Sequence, residues 1–282
     1  MSKANPDFIL IGAMKCGTTT LAAQLGAQSG IFITTPKEPN FFSDDAVYAR
    51  GADWYGALYK DARAGDLTGE ASTHYTKLPT HPETIARLQS AGITPRLIYM
   101  IRDPLDRLIS HYIHEWTQGV IACPLEEALE KHPELCAYSR YGEQIAPWCD
   151  AFGAQNILVM TMEEMKRDPQ SVLDKAAAHL GQAGLTWRDD LQQMNVSAER
   201  IRRLPLHGVI FDNPVATWLR RALVPQSVRD RLKAGRQMQE RPKLNPEDRA
   251  RLTASFRADQ SRLKALFPDN DSLDMAYEKC AP

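Results

Sequence analysis

The chain has 282 residues, of which 43% are hydrophobic and 24% are charged, so it can bury a large core as one globular domain. Its formal net charge of −1 gives no electrostatic reason to expect a nucleic-acid partner. Five cysteines without a C-x-x-C motif predict neither a disulfide framework nor a zinc site. The sequence also lacks the long apolar run of a signal peptide or a transmembrane segment, and we therefore expect a cytoplasmic protein.

The first predicted element is a buried strand at Phe8–Ile11 that runs into a glycine-rich loop, FILIGAMKCGTTT over residues 8–20. A helix from Thr18 to Gln28 is expected to follow. A loop of this kind directs backbone N–H groups and a helix N-terminus at an anion. The two glycines have the spacing of an ATP-binding P-loop, but Thr18 occupies the position of its lysine. The lysine of this loop is Lys15, which indicates a phosphate site without the usual metal-dependent machinery.

Strands and helices then alternate along the chain. Strands are predicted at Ile31–Thr34, Leu97–Ile101 and Asn156–Thr161. Helices are predicted at 54–59, 81–90, from Asp103-Pro104, and at 126–131, 141–152 and 169–180. This alternation predicts an α/β fold with a parallel sheet, because parallel strands need helical crossovers.

The last third of the chain changes character. Residues 195–245 are basic, and we expect them to form a substrate-side region that is mostly helical or loop. They could form a solvated face, bind an anion, or contact an anionic membrane through a short amphipathic helix at 215–223. A final helix, 246–267, is predicted to pack on the core through its apolar positions. We treat residues 1–282 as a single domain.

Four segments of the first 115 or so residues resemble PAPS-dependent sulfotransferases, which use 3′-phosphoadenosine 5′-phosphosulfate as donor. Lys15–Thr20 resembles their 5′-phosphosulfate loop, and Leu97–Tyr112 resembles their 3′-phosphate-binding strand and helix. KEPNFF at 37–42 and GEASTHY at 69–75 are similar to the branch that contains heparan-sulfate sulfotransferases and bacterial relatives. The resemblance implies a three-layer, P-loop-like fold with a central parallel sheet flanked by helices.

The resemblance also implies roles for the donor-side residues. Lys15 would stabilise the leaving phosphate, and Arg102 with Ser110 would bind the 3′-phosphate. The remaining predicted cofactor-binding residues are Cys16, Gly17, Thr18, Thr19, Thr20 and Arg241, the last from a late basic loop. The alternatives are a generic strand–turn–helix with a surface lysine, and an Arg102 that only caps the sheet edge through Asp103 or Asp106.

On the acceptor side the resemblance implies that Glu38 is the general base. His74 and His111 are alternative bases, since a related branch uses histidine, and we keep His74 as the better of the two. We expect an acceptor-binding surface that comprises Glu70, Ser72, Thr73 and Tyr75. A purely structural role for Glu70 is equally open.

The predicted function is transfer of a sulfuryl group from PAPS to a hydroxyl or amine, without a metal. The acceptor would be a carbohydrate, a glycolipid or another small metabolite. One rival is a small-molecule kinase that uses ATP and Mg²⁺, which Thr18 in the lysine position disfavours. The other is a non-catalytic nucleotide-binding protein, which the presence of both Lys15 and Glu38 disfavours.

Overall fold

A five-stranded parallel sheet forms the centre of the computed structural model, which describes residues 5–194, 238 and 240–280. The strands are β1 (Phe8–Gly12), β2 (Ile31–Ile33), β3 (Leu67–Ala71), β4 (Arg96–Ile101) and β5 (Ile157–Thr161). Their order in the sheet is β2-β3-β1-β4-β5, and every pairing is parallel. Helices flank this sheet, so the predicted three-layer α/β fold is confirmed.

The described helices connect and cover the strands. They are α1 (Thr18–Gly26), α2 (Asp45–Tyr48), α3 (Ala52–Ala57), α4 (Thr84–Ser90), α5 (Pro104–Gln118), α6 (Leu125–Lys131), α7 (Glu134–Ala137), α8 (Tyr141–Phe152), α9 (Met162–Arg167), α10 (Pro169–Leu180) and α11 (Pro246–Leu266). Residues Thr73–Thr76 and Asp271–Cys280 form 3-10 helices. We refer to Asp271–Cys280 as the C-terminal segment. Within the described ranges, every helix is too short or too polar to cross a membrane.

The two central strands form because their residues are apolar throughout. Phe8 to Ile11 of β1 and Leu97 to Ile101 of β4 are at most 1% exposed. A strand covered on both faces needs such a continuous apolar run. The strand β3 was not predicted from the sequence, because its residues LTGEA lack that run. Gly69 allows β3 to pair with β1, since a Cβ there would lie 2.3 Å from the Phe8 ring.

Three helices start at an Asp-Pro or Asn-Pro pair. Asp103, Asp168 and Asn245 each accept a hydrogen bond from the backbone amide three residues later, at 2.9, 3.1 and 2.8 Å. The proline that follows fits the first helical position because it has no N–H to satisfy there. These pairs fix the starts of α5, α10 and α11, as the sequence predicted.

Helix α11 packs against α8 through apolar residues and one buried acid. Leu252, Phe256 and Leu263 are at most 2% exposed. The carboxylate of Asp259 accepts hydrogen bonds from the amides of Gly142 and Glu143 at 2.8 and 2.9 Å. This carboxylate therefore satisfies first-turn amides of α8, which have no partner inside that helix. The predicted basic region lies mostly outside the described residues, including the 215–223 helix.

Candidate active site

The glycine-rich loop lies at the carboxyl edge of the sheet, between β1 and α1. Lys15 and Gly17 have positive φ values of 69° and 84°. Gly17 precedes α1 and no side chain caps that helix, whereas the Thr20 amide donates to the Gly17 carbonyl at 3.0 Å. A Cβ on Gly17 would lie 2.6 Å from the end of the flexible Met165 side chain, which can shift, so the positive φ is the main reason for glycine here. The loop therefore has the strand–turn–helix geometry that the sequence predicted, while anion binding by it stays a prediction.

The other loop residues differ in how they could contact an anion. Cys16 is fully buried, and its sulfur lies 3.7 Å from the hydroxyl of Tyr141. Burial raises the pKa of the Cys16 thiol to about 11, so the thiol remains protonated, and the Cys16 amide donates to the Ala13 carbonyl at 3.3 Å. Thr18 is buried, whereas Thr19 is exposed and Thr20 is half-buried. The hydroxyls accessible to a ligand are therefore those of the last two threonines.

Arg102 connects the end of β4 to this loop. Its Nη1 donates to the carbonyl oxygen of Lys15 at 3.4 Å, and its own carbonyl accepts a 2.7 Å hydrogen bond from Tyr141. The side chain is only 12% exposed. Its Nε is buried with no hydrogen-bond partner among the described residues. A buried guanidinium donor without an acceptor is costly unless a ligand supplies one.

Asp106, in the first turn of α5, forms ion pairs with three cationic side chains. Its carboxylate lies 2.8 Å from Arg241, 2.5 Å from Lys279 and 3.7 Å from Arg102. Burial alone would raise the pKa of Asp106, but the Lys279 hydrogen bond and the two guanidinium charges lower it below its ordinary value. The structure thus brings together Arg102 and Arg241, which the sequence analysis named, and Lys279, which it did not. Ser110 lies one turn further along the same helix face.

Glu38 lies on the loop after β2, opposite the end of β3. Its backbone has φ of 60°, and its amide donates to the carbonyl of Ala71 at 2.9 Å. The carboxylate contacts Lys37 at 2.5 Å and accepts a 3.1 Å hydrogen bond from the Thr73 hydroxyl. Burial would raise the pKa of Glu38, but the Lys37 ammonium and the Thr73 hydroxyl lower it overall. The group is therefore ionised at neutral pH, as a base must be.

His74 and Lys77 lie close enough to the Glu38 carboxylate to interact with its charge, whereas no such interaction links His111 to Glu38. The ring of His74 stacks on His81 with centroids 4.7 Å apart, and burial with the Lys77 charge lowers the pKa of His74 to about 4. His111 lies 3.4 Å from Glu115, and burial lowers its pKa to about 4 as well. Both histidines are thus neutral at pH 7.

Lys77 is a residue of this region that the sequence analysis missed. It is 9% exposed, and burial lowers the pKa of its ammonium to about 8, against the opposing charges of Glu38 and Glu115. Its Nζ lies 5.9 Å from the centre of the Tyr138 ring. The one signal in the sequence was its position four residues after Thr73, just past the GEASTHY segment.

Glu70, Ser72 and Tyr75 face the protein interior, not an open surface. Each is at most 1% exposed. The Glu70 carboxylate accepts hydrogen bonds from Tyr55 and Tyr75 at 2.8 Å and from Ser72 at 2.9 Å. The Ser72 hydroxyl also accepts from the amide of Asn40 at 3.1 Å. Their burial argues against direct contact with an acceptor and favours the structural alternative for Glu70. Through Ser72 and the Asn40 amide, Glu70 stabilises the loop that carries Glu38.

Replacing Glu70 by alanine is expected to lower the free energy of unfolding by about 3 kcal/mol, because three buried hydroxyls lose their acceptor. Urea denaturation measures this loss. The control is Glu83→Ala, since Glu83 is exposed before α4 and its removal should change stability by less than about 0.5 kcal/mol. A Glu70→Ala protein of unchanged stability but raised acceptor KM would contradict the structural role.

No cluster of three or more His, Cys, Asp or Glu side chains that could hold a metal occurs in the described part of the chain. Asp103, which follows Arg102 after β4, is 2% exposed and uses one oxygen to cap α5.

Two curated relatives illustrate which proteins the chain resembles. The membrane-associated sulfotransferase kil1 of Dictyostelium discoideum is 34% identical over 130 residues, which are 44% of this chain and 26% of that protein. The bifunctional heparan sulfate N-deacetylase/N-sulfotransferase 1 of Caenorhabditis elegans is 25% identical over 196 residues, 63% of this chain and 22% of that protein. The chain therefore matches about a quarter of the length of these relatives.

Solved structures agree with the fold. A sulfotransferase from Alicyclobacillus acidocaldarius is 25% identical with a TM-score of 0.68, covering 96% of this chain and 100% of that one. Mouse sulfotransferase SULT7A1, solved with PAP, shares only the fold, at 15% identity and a TM-score of 0.50 over 98% of this chain and 89% of its own. The sequence model of the sulfotransferase domain matches residues 5–253, and the chain belongs to the sulfotransferase family.

Proposed function

We propose that the protein transfers a sulfuryl group from PAPS to a hydroxyl or amine of its acceptor. The observation that carries this proposal is Arg102, which contacts the loop through the Lys15 carbonyl and retains a buried Nε without a described partner. A guanidinium in this position can bind a second phosphate beside the one in the loop. PAPS carries a 3′-phosphate in addition to its 5′-phosphosulfate, whereas ATP does not.

The donor supplies an activated sulfuryl group, and the residues of the chain position it and balance its charge. The loop amides and the hydroxyls of Thr19 and Thr20 would hold the 5′-phosphate, with Arg102 and Ser110 at the 3′-phosphate. As the S–O bond to the 5′-phosphate breaks, Lys15 would neutralise the charge that develops on the leaving oxygen of that 5′-phosphate. The reaction then depends mainly on alignment of the attacking and leaving oxygens.

Glu38 would accept the proton that the acceptor loses as its oxygen or nitrogen bonds to sulfur. Its lowered pKa keeps it ionised and ready for this role. Thr73 holds one carboxylate oxygen in place, and Thr73 is the member of the predicted acceptor surface that contacts Glu38. His74 is the alternative base, because it is neutral and its Nδ1 is buried without a described partner.

For the acceptor we propose a carbohydrate or glycolipid hydroxyl or amine. The support is family membership together with relatives named for heparan sulfate sulfation. A cytoplasmic location also stays a prediction, which fractionation of cells that express the protein would test.

Titration calorimetry with PAP, the product nucleotide, tests the donor. We expect micromolar PAP binding, weak binding of ATP with Mg²⁺, and a loss of PAP affinity of about 10- to 100-fold in Arg102→Ala. Arg96→Ala is the matched control, since Arg96 is exposed at the opposite end of the same strand. Preference for ATP with Mg²⁺ would overturn the proposal in favour of a kinase.

A further inference from the structure

The three cations around Asp106 exceed the charge that this one carboxylate can neutralise. Arg102 and Arg241 belong to the donor side already described, but Lys279 comes from the far end of the chain. More than half of the Lys279 side chain is exposed, so a ligand can reach its ammonium. The excess positive charge lies beside the face of α5 that also carries Ser110.

The position of Lys279 is set by a well-anchored backbone. Chain ends usually fray unless they are tied down. Here the C-terminal segment buries Leu273, Tyr277 and Cys280, which are at most 4% exposed. Arg249 of α11 also donates to the carbonyl of Lys279 at 3.1 Å. The lysine is thus held on Asp106 by packing on both sides of it in the chain.

We propose that Lys279 is a third ligand of the donor's 3′-phosphate, beside Arg102 and Arg241. This inference rests on the proposed function, because it needs a nucleotide with a 3′-phosphate. A phosphate monoester has two negative charges and three free oxygens, which match several convergent cations. Asp106 holds the cations close together without neutralising all of them. The C-terminal segment thereby becomes part of the nucleotide site.

The test compares two nucleotides that differ only in the 3′-phosphate, PAP and adenosine 5′-phosphate. Lys279→Ala is expected to weaken PAP binding by about 5- to 20-fold and to leave adenosine 5′-phosphate binding within about twofold. Lys279→Arg should restore most of the PAP affinity. The matched control is Lys264→Ala, which removes the 2.6 Å ion pair of an exposed lysine with Asp274 of the same segment but leaves Asp106 untouched.

The outcomes distinguish a failure of the Lys279 role from a failure of the proposed function. If the wild-type protein does not prefer PAP to adenosine 5′-phosphate, the proposed function fails. If the wild type prefers PAP and Arg102→Ala loses it, but Lys279→Ala binds like the wild type, only the role of Lys279 is overturned. Equal weakening of both nucleotides in Lys279→Ala would also overturn it, because the lysine would then act on the fold and not on the 3′-phosphate.

Discussion

Replacing Lys15 by alanine is expected to lower kcat by about 10²- to 10³-fold, the usual effect of removing one group that stabilises transition-state charge. The effect should fall on kcat more than on PAP affinity, because the leaving oxygen gains its charge during transfer and not on binding. The measurement is PAP release from PAPS with an acceptor that supports wild-type turnover.

The Lys15→Ala substitution should change the side chain without altering the backbone conformation. Lys15 already has a positive φ of 69°, and alanine at that position carries a similar backbone cost, so the fold should tolerate the change. Lys15→Arg should recover part of the rate, since it restores the charge. Lys60→Ala removes an exposed lysine elsewhere and should leave turnover unchanged. A Lys15→Ala enzyme with near-normal kcat would assign leaving-group stabilisation to another cation.

Replacing Glu38 by glutamine is expected to lower turnover by about 10²- to 10⁴-fold, which is the range for loss of a general base. Glutamine keeps the shape and can still accept the Thr73 hydrogen bond, so the fold and PAP affinity should be preserved. Turnover and PAP binding are measured on the same preparation to separate the two effects.

Two further variants make the assignment of the base specific. His74→Asn should retain most turnover if Glu38 is the base, and near-normal turnover in Glu38→Gln with a large loss in His74→Asn would reverse the assignment. Lys37→Ala should move the acid limb of the kcat/KM profile to higher pH. The reason is that burial raises the pKa of Glu38, and the ammonium that opposes this rise would be gone.

The sequence predicted those parts of the fold that depend on local patterns. The strands β1 and β4 are continuous apolar runs, and α5, α10 and α11 begin at Asp-Pro or Asn-Pro pairs. The strand β3 escaped prediction because its burial depends on tertiary partners. Two tyrosines and a serine donate hydrogen bonds to the buried Glu70 carboxylate, and no local pattern in LTGEA predicts these partners.

The same distinction applies to the site. The spacing of Gly12 and Gly17 predicted the loop, because a tight turn constrains neighbouring residues. Lys279 could not be predicted, since it meets Asp106 across 173 positions of sequence. This ion pair depends on how α11 and the C-terminal segment pack on the core. Likewise, the interior position of Ser72 and Tyr75 follows from the packing around Glu70 and not from their polar or aromatic character.

The order of the strands places the proposed acceptor-side groups apart from the donor-side groups, so acceptor selectivity can change while donor binding is kept. Under the proposed roles, residues 31–77 carry the described acceptor-side groups in one stretch, in the segments that follow the strands β2 and β3 at one side of the sheet. The described donor-side groups lie before and after it. Exchange of this block between family members, with one crossover on each side of it, should therefore leave the donor preference intact. The exchange must keep Thr76, because it donates to the Ile11 carbonyl at 3.0 Å and packs where a Gly12 side chain would be.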